Sequence, residues 1–188
     1  FENPITQRNI QTLKDSGIQI LEPETGDLAC GDHGIGRMPN ETLIVAHIQA
    51  MCLPPLAIEK KRILISAGGT QERIDPVRCI SNYSTGQMGH QIANLAAAHG
   101  ADVTLVTTTS LPIHPNIKTT AQVQNTDEMQ KQITAHLSEH DILIMAAAVS
   151  DLKPKQHSDK KLKSSQTQHI EFEKNPDILK ACAKIKTE

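Results

Sequence analysis

Residues 62–89 read RILISAGGTQERIDPVRCISNYSTGQMG. The run Ile63-Leu64-Ile65 has the length and β-branching of a strand buried on both faces, and Gly68-Gly69 follow at once. A strand that opens into a glycine loop ahead of a helix suits an anion, because backbone N–H groups can approach closely and a helix N-terminus carries unsatisfied amides and a positive dipole. The stretch therefore predicts a parallel α/β sheet and a phosphate-bearing ligand together, with Gly68, Gly69, Ser84 and Gly86 as candidate phosphate contacts. The bland alternative is a capped helix after an irregular loop.

Downstream, apolar β-rich runs alternate with helical patterns: strand 62–66, helix 86–99, strand 102–107, a short strand 117–123, helix 126–139, strands 141–146 and 169–173, and helix 176–186. The expected fold is α/β, a Rossmann-like parallel sheet with helices on both faces. Ligands of such sheets bind beyond the carboxyl ends of the strands, which is where 67–89 and 147–165 must lie. Upstream, Asn3-Pro4 can cap and open a helix closed by Gly17 in a left-handed cap. A strand is expected over 18–21, then a long loop over 22–39, which holds four Gly and two Pro, and a helix capped by Asn40 and running to about Met51. Pro54-Pro55 followed by Glu59-Lys60-Lys61 has the composition of an exposed connector. The expected division is residues 1–52, a linker 53–60, and a second domain 61–188.

The loop lacks the spacing of the commonest phosphate motifs. After Gly68-Gly69 no Gly recurs until Gly86, and strand 102–107 ends in Thr107-Thr108-Thr109 with neither an acid nor an Arg for a ribose, which argues against NAD or NADP. No Gly-Lys-Ser/Thr follows, so a P-loop is excluded. A formal charge of −2 from 19 basic and 21 acidic side chains, with 2% aromatic residues, argues against a nucleic-acid partner. No charged-then-apolar leader opens the chain, and no apolar run approaches the roughly 18 residues of a membrane span; a soluble, cytoplasmic protein is expected. Cys30, Cys52, Cys79 and Cys182 are widely spaced without a C-x-x-C pair, which fits a reducing compartment. His136 and His140 have an i,i+4 spacing that suits a metal but lack the Glu of H-E-x-x-H, so they fit a helix C-terminus better. Lys153, Lys155, Lys160, Lys161 and Lys163, five within eleven residues, suit either a polyphosphate clamp or a solvated loop.

The segments AGGTQERIDPVRCISNYSTGQMG, AAAVSDLKPK, KKLK and KNPDIL together closely resemble the phosphopantothenate–cysteine ligase (phosphopantothenoylcysteine synthetase) family of coenzyme A biosynthesis, over the whole of 61–188. FENPITQ and PETGDLACGDHGIGRM resemble the end of the phosphopantothenoylcysteine decarboxylase domain, a flavodoxin-like α/β flavoprotein, and the order of the two blocks is that of the fused bifunctional family. The resemblance implies that CTP and Mg²⁺ activate 4′-phosphopantothenate as an acyl-cytidylate, from which cysteine displaces CMP. By match, Lys161 helps form the cytidylate with Lys163 nearby, and Asn82 serves the second half-reaction. Ala146, Ala147 and Asp151 line the nucleotide, and Asn175, Pro176, Asp177 and Ile178 form a further CTP-contacting motif; the metal ligands are left open. Cys30 matches the flap thiol of the FMN-dependent decarboxylase. Two positions depart from the family pattern: its K-x-K-K run is Lys161-Leu162-Lys163-Ser164, and the Lys of S-S-G-K-M-G is Gln87.

The resemblance places the flavin-binding segment ahead of Phe1 and further strands after Glu188, so decarboxylation is expected to be absent from this stretch and ligation impaired. It also implies a homo-oligomer acting on small molecules. The runner-up is a binding subunit of the same fold without turnover, and a weaker third reading is a nicotinamide-dependent oxidoreductase.

Overall fold

The computed structural model describes residues 1–52, 57–163 and 169–186. Residues 53–56 of the expected linker and Ser164 lie outside them. The chain divides into two compact units, residues 1–54 and 55–188.

In the first unit, α1 (Pro4–Asp15) starts as its cap predicts: Asn3 Oδ1 accepts the Ile5 amide at 2.9 Å. It ends at Gly17, whose φ of +83° lets Ile18 N–H reach Leu13 O and Gly17 N–H reach Lys14 O, the paired bonds of a Schellman close. The strand expected over 18–21 does not form. The loop expected over 22–39 is instead an antiparallel hairpin of β1 (Glu24–Asp27) and β2 (His33–Arg37). Both faces of β2 are largely exposed, so nothing selects for the apolar alternation by which a strand is read. Asn40 caps α2 (Glu41–Cys52) by accepting the Thr42 amide at 2.9 Å.

The second unit is built on four parallel strands in the order β7-β6-β3-β8: β3 (Arg62–Ala67), β6 (Asp102–Thr107), β7 (Thr119–Gln122) and β8 (Ile142–Met145). Alternate residues of β3 face opposite ways. Ile63, Ile65 and Ala67 pack with Val103, Leu105 and the small face Ala93, Ala96 and Ala97 of α3 (Gln87–Ala98). Leu64 packs on the other side with Val106 and with Met129, Ile133 and Leu137 of α4 (Thr126–Leu137), together with Ile178 and Cys182 of α5 (Ile178–Lys186). Leu64 and Ile65 are both 0% exposed, so truncating either to Ala would cost about 2–5 kcal/mol. His140 ties α4 back to the sheet, its Nδ1 against His136 O and its Nε2 against Thr104 Oγ1, which accounts for the pair without a metal.

Two small antiparallel pairs were not foreseen. β4 (Gln71–Asp75) and β5 (Arg78–Ser81) form a hairpin inside the glycine loop, and β9 (Leu152–Pro154) pairs with β10 (Phe172–Lys174), which replaces the strand expected over 169–173. The chain leaves β3 outward to β6 and β7, then returns to the opposite side of β3 as β8. The topological switch thus falls between β3 and β8, where such sheets bind ligands. Among the described residues no helix is long and apolar enough to cross a membrane.

Candidate active site

Both loops singled out from the sequence emerge at that switch. Gly69 bridges to Ala148 in parallel fashion, with Thr70 N–H donating to Ala148 O at 3.2 Å and Ala148 N–H to Gly68 O at 2.7 Å. Asn82, after β5, reaches across the seam: its Nδ2 donates to Ala148 O at 3.3 Å and to Val149 O at 3.2 Å. That leaves its Oδ1 without a hydrogen-bond partner among the described residues, on an exposed side chain beside the ends of β3 and β8.

Gly68 and Gly86 are glycines for a stated reason. Their φ values are +89° and +76°, and a Cβ on Gly68 would run into the Thr108 hydroxyl, while one on Gly86 would lie 2.7 Å from Thr109 Oγ1 and 3.2 Å from Gly68 Cα. The glycine loop and the start of α3 therefore meet backbone to backbone, with the Thr108 and Thr109 side chains after β6 packed against them. Gly86 is the N-cap of α3 and supplies no side-chain cap, and Ser84 Oγ lies 3.4 Å from the Gly86 amide, a weak contact. The first amides of α3 are thus left without strong side-chain partners, as a helix end that receives an anion requires.

A cleft of about 390 Å³ opens beside the end of β8, lined by Ala147, Val149, Asp151, Asn175, Asp177 and Ile178 among others, Pro176 included. The structure thus brings together two segments that the sequence separates by more than twenty residues, and Asn175 N–H donates to Asp151 O at 2.9 Å to join them. Ala146 follows β8 and is half-buried, but it does not line the cleft.

The lysine cluster divides. Lys153 pairs with Asp127 at 2.7 Å, which raises its pKa, and Lys155 pairs with Glu171 at 3.0 Å. Lys161 is exposed and makes no hydrogen bond or ion pair among the described residues, and Lys163 is exposed on the same segment. What holds that segment was missed in the sequence. Asp75, with a side chain 0% exposed, accepts Arg78 Nε at 2.9 Å and Nη2 at 2.5 Å, the amides of Val77 and Arg78, and the amide of Leu162 at 3.2 Å. Arg78 Nη2 in turn donates to Leu162 O at 2.8 Å. Leu162 is gripped at both its N–H and its C=O, between the two lysines. The Arg78 bonds, aided by the amides of Val77 and Leu162, hold the Asp75 carboxyl well below the usual carboxylate range against the opposing effect of burial. The sequence signal was the Asp75-Pro76 turn, in which Asp accepts amides two and three residues on.

In the first unit Cys30 is exposed on the turn between β1 and β2, its Sγ 3.7 Å from Asp32 Oδ2, with Gly31 at φ +90°. His33 Nδ1 lies 3.0 Å from Asp27 Oδ1 across the hairpin mouth.

Residues 1–53 match the Flavoprotein family profile and residues 58–188 that of the DNA/pantothenate metabolism flavoprotein C-terminal domain. The coenzyme A biosynthesis bifunctional protein CoaBC of Vibrio cholerae is 41% identical over 191 residues, covering 98% of this chain and 47% of its own length. The protein of that name from Escherichia coli is 40% identical over 186 residues, 96% of this chain and 46% of its own. A cysteine/cysteine sulfinic acid decarboxylase from an unknown prokaryotic organism is 42% identical over 191 residues, 98% of this chain and 53% of its own. Among solved structures, the C-terminal domain of a CoaBC protein aligns with a TM-score of 0.59 at 40% identity over 69% of this chain and 61% of its own. The DNA/pantothenate metabolism flavoprotein of Streptococcus pneumoniae aligns at 0.58 and 28% identity, over 66% of this chain and 64% of its own. The chain spans about half the length of the curated relatives it matches. With its parallel sheet, its glycine seam and its cleft in the matched region, the chain belongs over residues 58–188 to the DNA/pantothenate metabolism flavoprotein C-terminal domain family.

Proposed function

We propose that the second unit carries the ligase step of coenzyme A biosynthesis, joining 4′-phosphopantothenate to cysteine at the expense of CTP through an acyl-cytidylate. One observation supports this most directly. The seam between β3 and β8 places the Asn82 side chain, the glycine-lined start of α3 and the 147–151/175–178 cleft at the same end of one sheet.

In this reading the cleft takes the cytidine nucleotide. Lys161 and Lys163 approach its phosphates from the segment held by Asp75 and Arg78, so that fixed cations meet the charge that develops at phosphorus. The substrate carboxylate oxygen bonds to the α-phosphorus and pyrophosphate leaves. The cysteine amine then bonds to the acyl carbon, CMP leaves, and the amine proton is lost. Asn82 Oδ1, without a partner among the described residues while Nδ2 is anchored, is placed to orient the amine or the acyl group for that second step. No group of three or more His, Cys, Asp or Glu side chains converges among the described residues. That fits a Mg²⁺ carried by nucleotide phosphates, which needs only one or two carboxylates from the protein, and Asp151 and Asp177 are the two that line the cleft. The ion would neutralise phosphate charge there.

For the first unit the proposal is a part in decarboxylation of the ligated product, limited to presenting the Cys30 thiol as a proton donor on a turn. α1 buries none of its side chains and β2 is largely exposed.

The test incubates the protein with CTP, Mg²⁺ and 4′-phosphopantothenate without cysteine, with mass spectrometry for the cytidylate. Wild type should accumulate it and convert it to the amide once cysteine is added, and Lys161→Gln should form it at least about tenfold more slowly, the value of one charge-assisted contact. Bound CTP with no cytidylate would overturn the ligase reading in favour of a binding subunit.

A further inference from the structure

Behind the cleft, the side chains of Thr70, Glu72, Thr126 and Asn175 and the backbone of Ser150, from four separate segments, share one hydrogen-bonded network. Thr70, Glu72, Thr126 and Ser150 are 0%, 4%, 0% and 6% exposed, and Asn175 is half-buried. The direction of each proton follows from what each atom can do. Thr126 is the first residue of α4, and its amide, which has no helical partner, donates to Glu72 Oε1 at 3.1 Å. The Thr126 hydroxyl lies 2.7 Å from the same oxygen, and a carboxylate only accepts, so the hydroxyl proton also goes to Glu72. Thr126 Oγ1 also accepts Asn175 Nδ2 at 3.2 Å, and its hydroxyl is directed toward Thr70 Oγ1 at 3.2 Å as a second, longer contact. Thr70 Oγ1 also accepts the Ser150 amide at 2.9 Å. The other Asn175 amide proton goes to Ser150 O at 2.8 Å, which fixes the orientation of that amide because a carbonyl can only accept. Thr126 is the node of the network, its amide and hydroxyl turned to the Glu72 carboxylate at the positive end of α4 and its oxygen also in contact with Asn175 and Thr70.

This network ties the glycine loop and β4 to the start of α4, and through it to the two segments that wall the cleft, at Ser150 and Asn175. Thr126 is not itself among the cleft-lining residues. We propose that Thr126 is a positioning residue for the nucleotide: its hydroxyl, as the node of the network, fixes the joined 149–151 and 175–178 walls against β4 and the start of α4. The assignment of the ligand as a cytidine nucleotide rests on the reading above, whereas the network itself does not.

Thr126→Val keeps shape and volume but leaves Glu72, Thr70 and Asn175 each short of a partner, while Thr126→Ser restores the hydroxyl. Thr126→Val should weaken CTP binding by calorimetry about tenfold or more and leave the KM for cysteine within about twofold, with Thr126→Ser within about twofold of wild type. Thr70→Val should produce a similar loss, and the double variant should be little worse than either single, because both break one network. If Thr126→Val fails to fold, Thr70→Val and Thr70→Ser form the same comparison. CTP affinity unchanged in the valine variant, equal impairment in the serine variant, or fully multiplicative losses in the double variant would each overturn the proposal. If wild type binds no CTP, the nucleotide reading fails instead. Amide exchange at Ser150 then decides the network, with an expected acceleration of about tenfold in Thr126→Val and none in Thr126→Ser; unchanged exchange in the valine variant would sink it.

Discussion

Gly86→Ala should destabilise the second unit far more than a one-carbon change on a surface loop. The backbone there has φ +76°, which costs an L residue about 1–2 kcal/mol. The new Cβ would lie 2.7 Å from Thr109 Oγ1 and 3.2–3.3 Å from Cα and N of Gly68. On the Gly68 side the obstacle is main chain held by the bridge to Ala148, so it is Thr109 that must yield. Its hydroxyl lies 3.2 Å from Nε2 of the buried His90 and 3.3 Å from Thr107 Oγ1, and giving up that position loses about 1 kcal/mol. Against this, alanine restricts the unfolded chain and returns about 0.5 kcal/mol. The net is a loss of about 1.5–2.5 kcal/mol, or about 5–9 °C in the Tm of a unit of this size. Calorimetry on the transition of residues 55–188 reads it directly. Thr109→Ala in the same background should recover part of the loss, because the two changes share one contact. A Tm within about 2 °C of wild type would show that the seam is looser than its distances and would refute the reasoning.

Three further outcomes test the site. The Asp75 carboxyl has a depressed folded-state pKa, so its stabilisation is complete above the unfolded value of about 3.9 and fades only as pH falls toward the folded value. The stability difference between wild type and Asp75→Asn should therefore be flat from about pH 8 to 5 and shrink below about pH 4; a difference that vanishes by about pH 6 contradicts the clasp. Asn82→Asp should slow amide formation more than activation, so that the cytidylate accumulates in the presence of cysteine, whereas equal slowing of both steps would remove the assigned division of labour. Cys30→Ser, in the other unit, should leave the ligation rate at the wild-type value, and any loss would mean that the thiol serves the wrong step in this account.

The central sheet was legible because β3 and β6 are buried on both faces and read as continuous apolar runs, and the helices because Asn3, Gly17 and Asn40 punctuate them. The β4–β5 hairpin was not. Its inward positions include Glu72 and Asp75, so burial follows no apolar pattern, and the carboxylates are tolerated because Thr126 reaches Glu72 while Arg78, Val77 and Leu162 reach Asp75. Ile18–Leu21 has strand composition but no described neighbour to pair with, and a strand without a partner does not form. At the site, Gly68, Gly69, Ser84 and Gly86 could be named from the loop pattern, whereas Asn82, Asp151, Lys161 and the Asn175–Ile178 run were named only through the family resemblance. The residues that hold them could not, since Thr70, Thr126 and Ser150 are ordinary turn and cap types whose contacts link distant segments. The grip on Leu162 escaped for the same reason, because it acts through backbone atoms that carry no side-chain signature.

The parallel order of the sheet also governs how quickly the protein reaches its native state. Arg62 aligns with Asp102 and Ile63 with Ile142, so no pairing of the central strand can form between chain neighbours. The β4–β5 hairpin and α3 can close locally on a microsecond scale, but β3 must wait for loops of increasing length, each with its own closure entropy. High contact order of this kind predicts refolding in milliseconds to seconds, with the β3–β6 pair formed before β8 docks. The ligand cleft, which lies on the β8 side, would then be the last part of the sheet to acquire its shape.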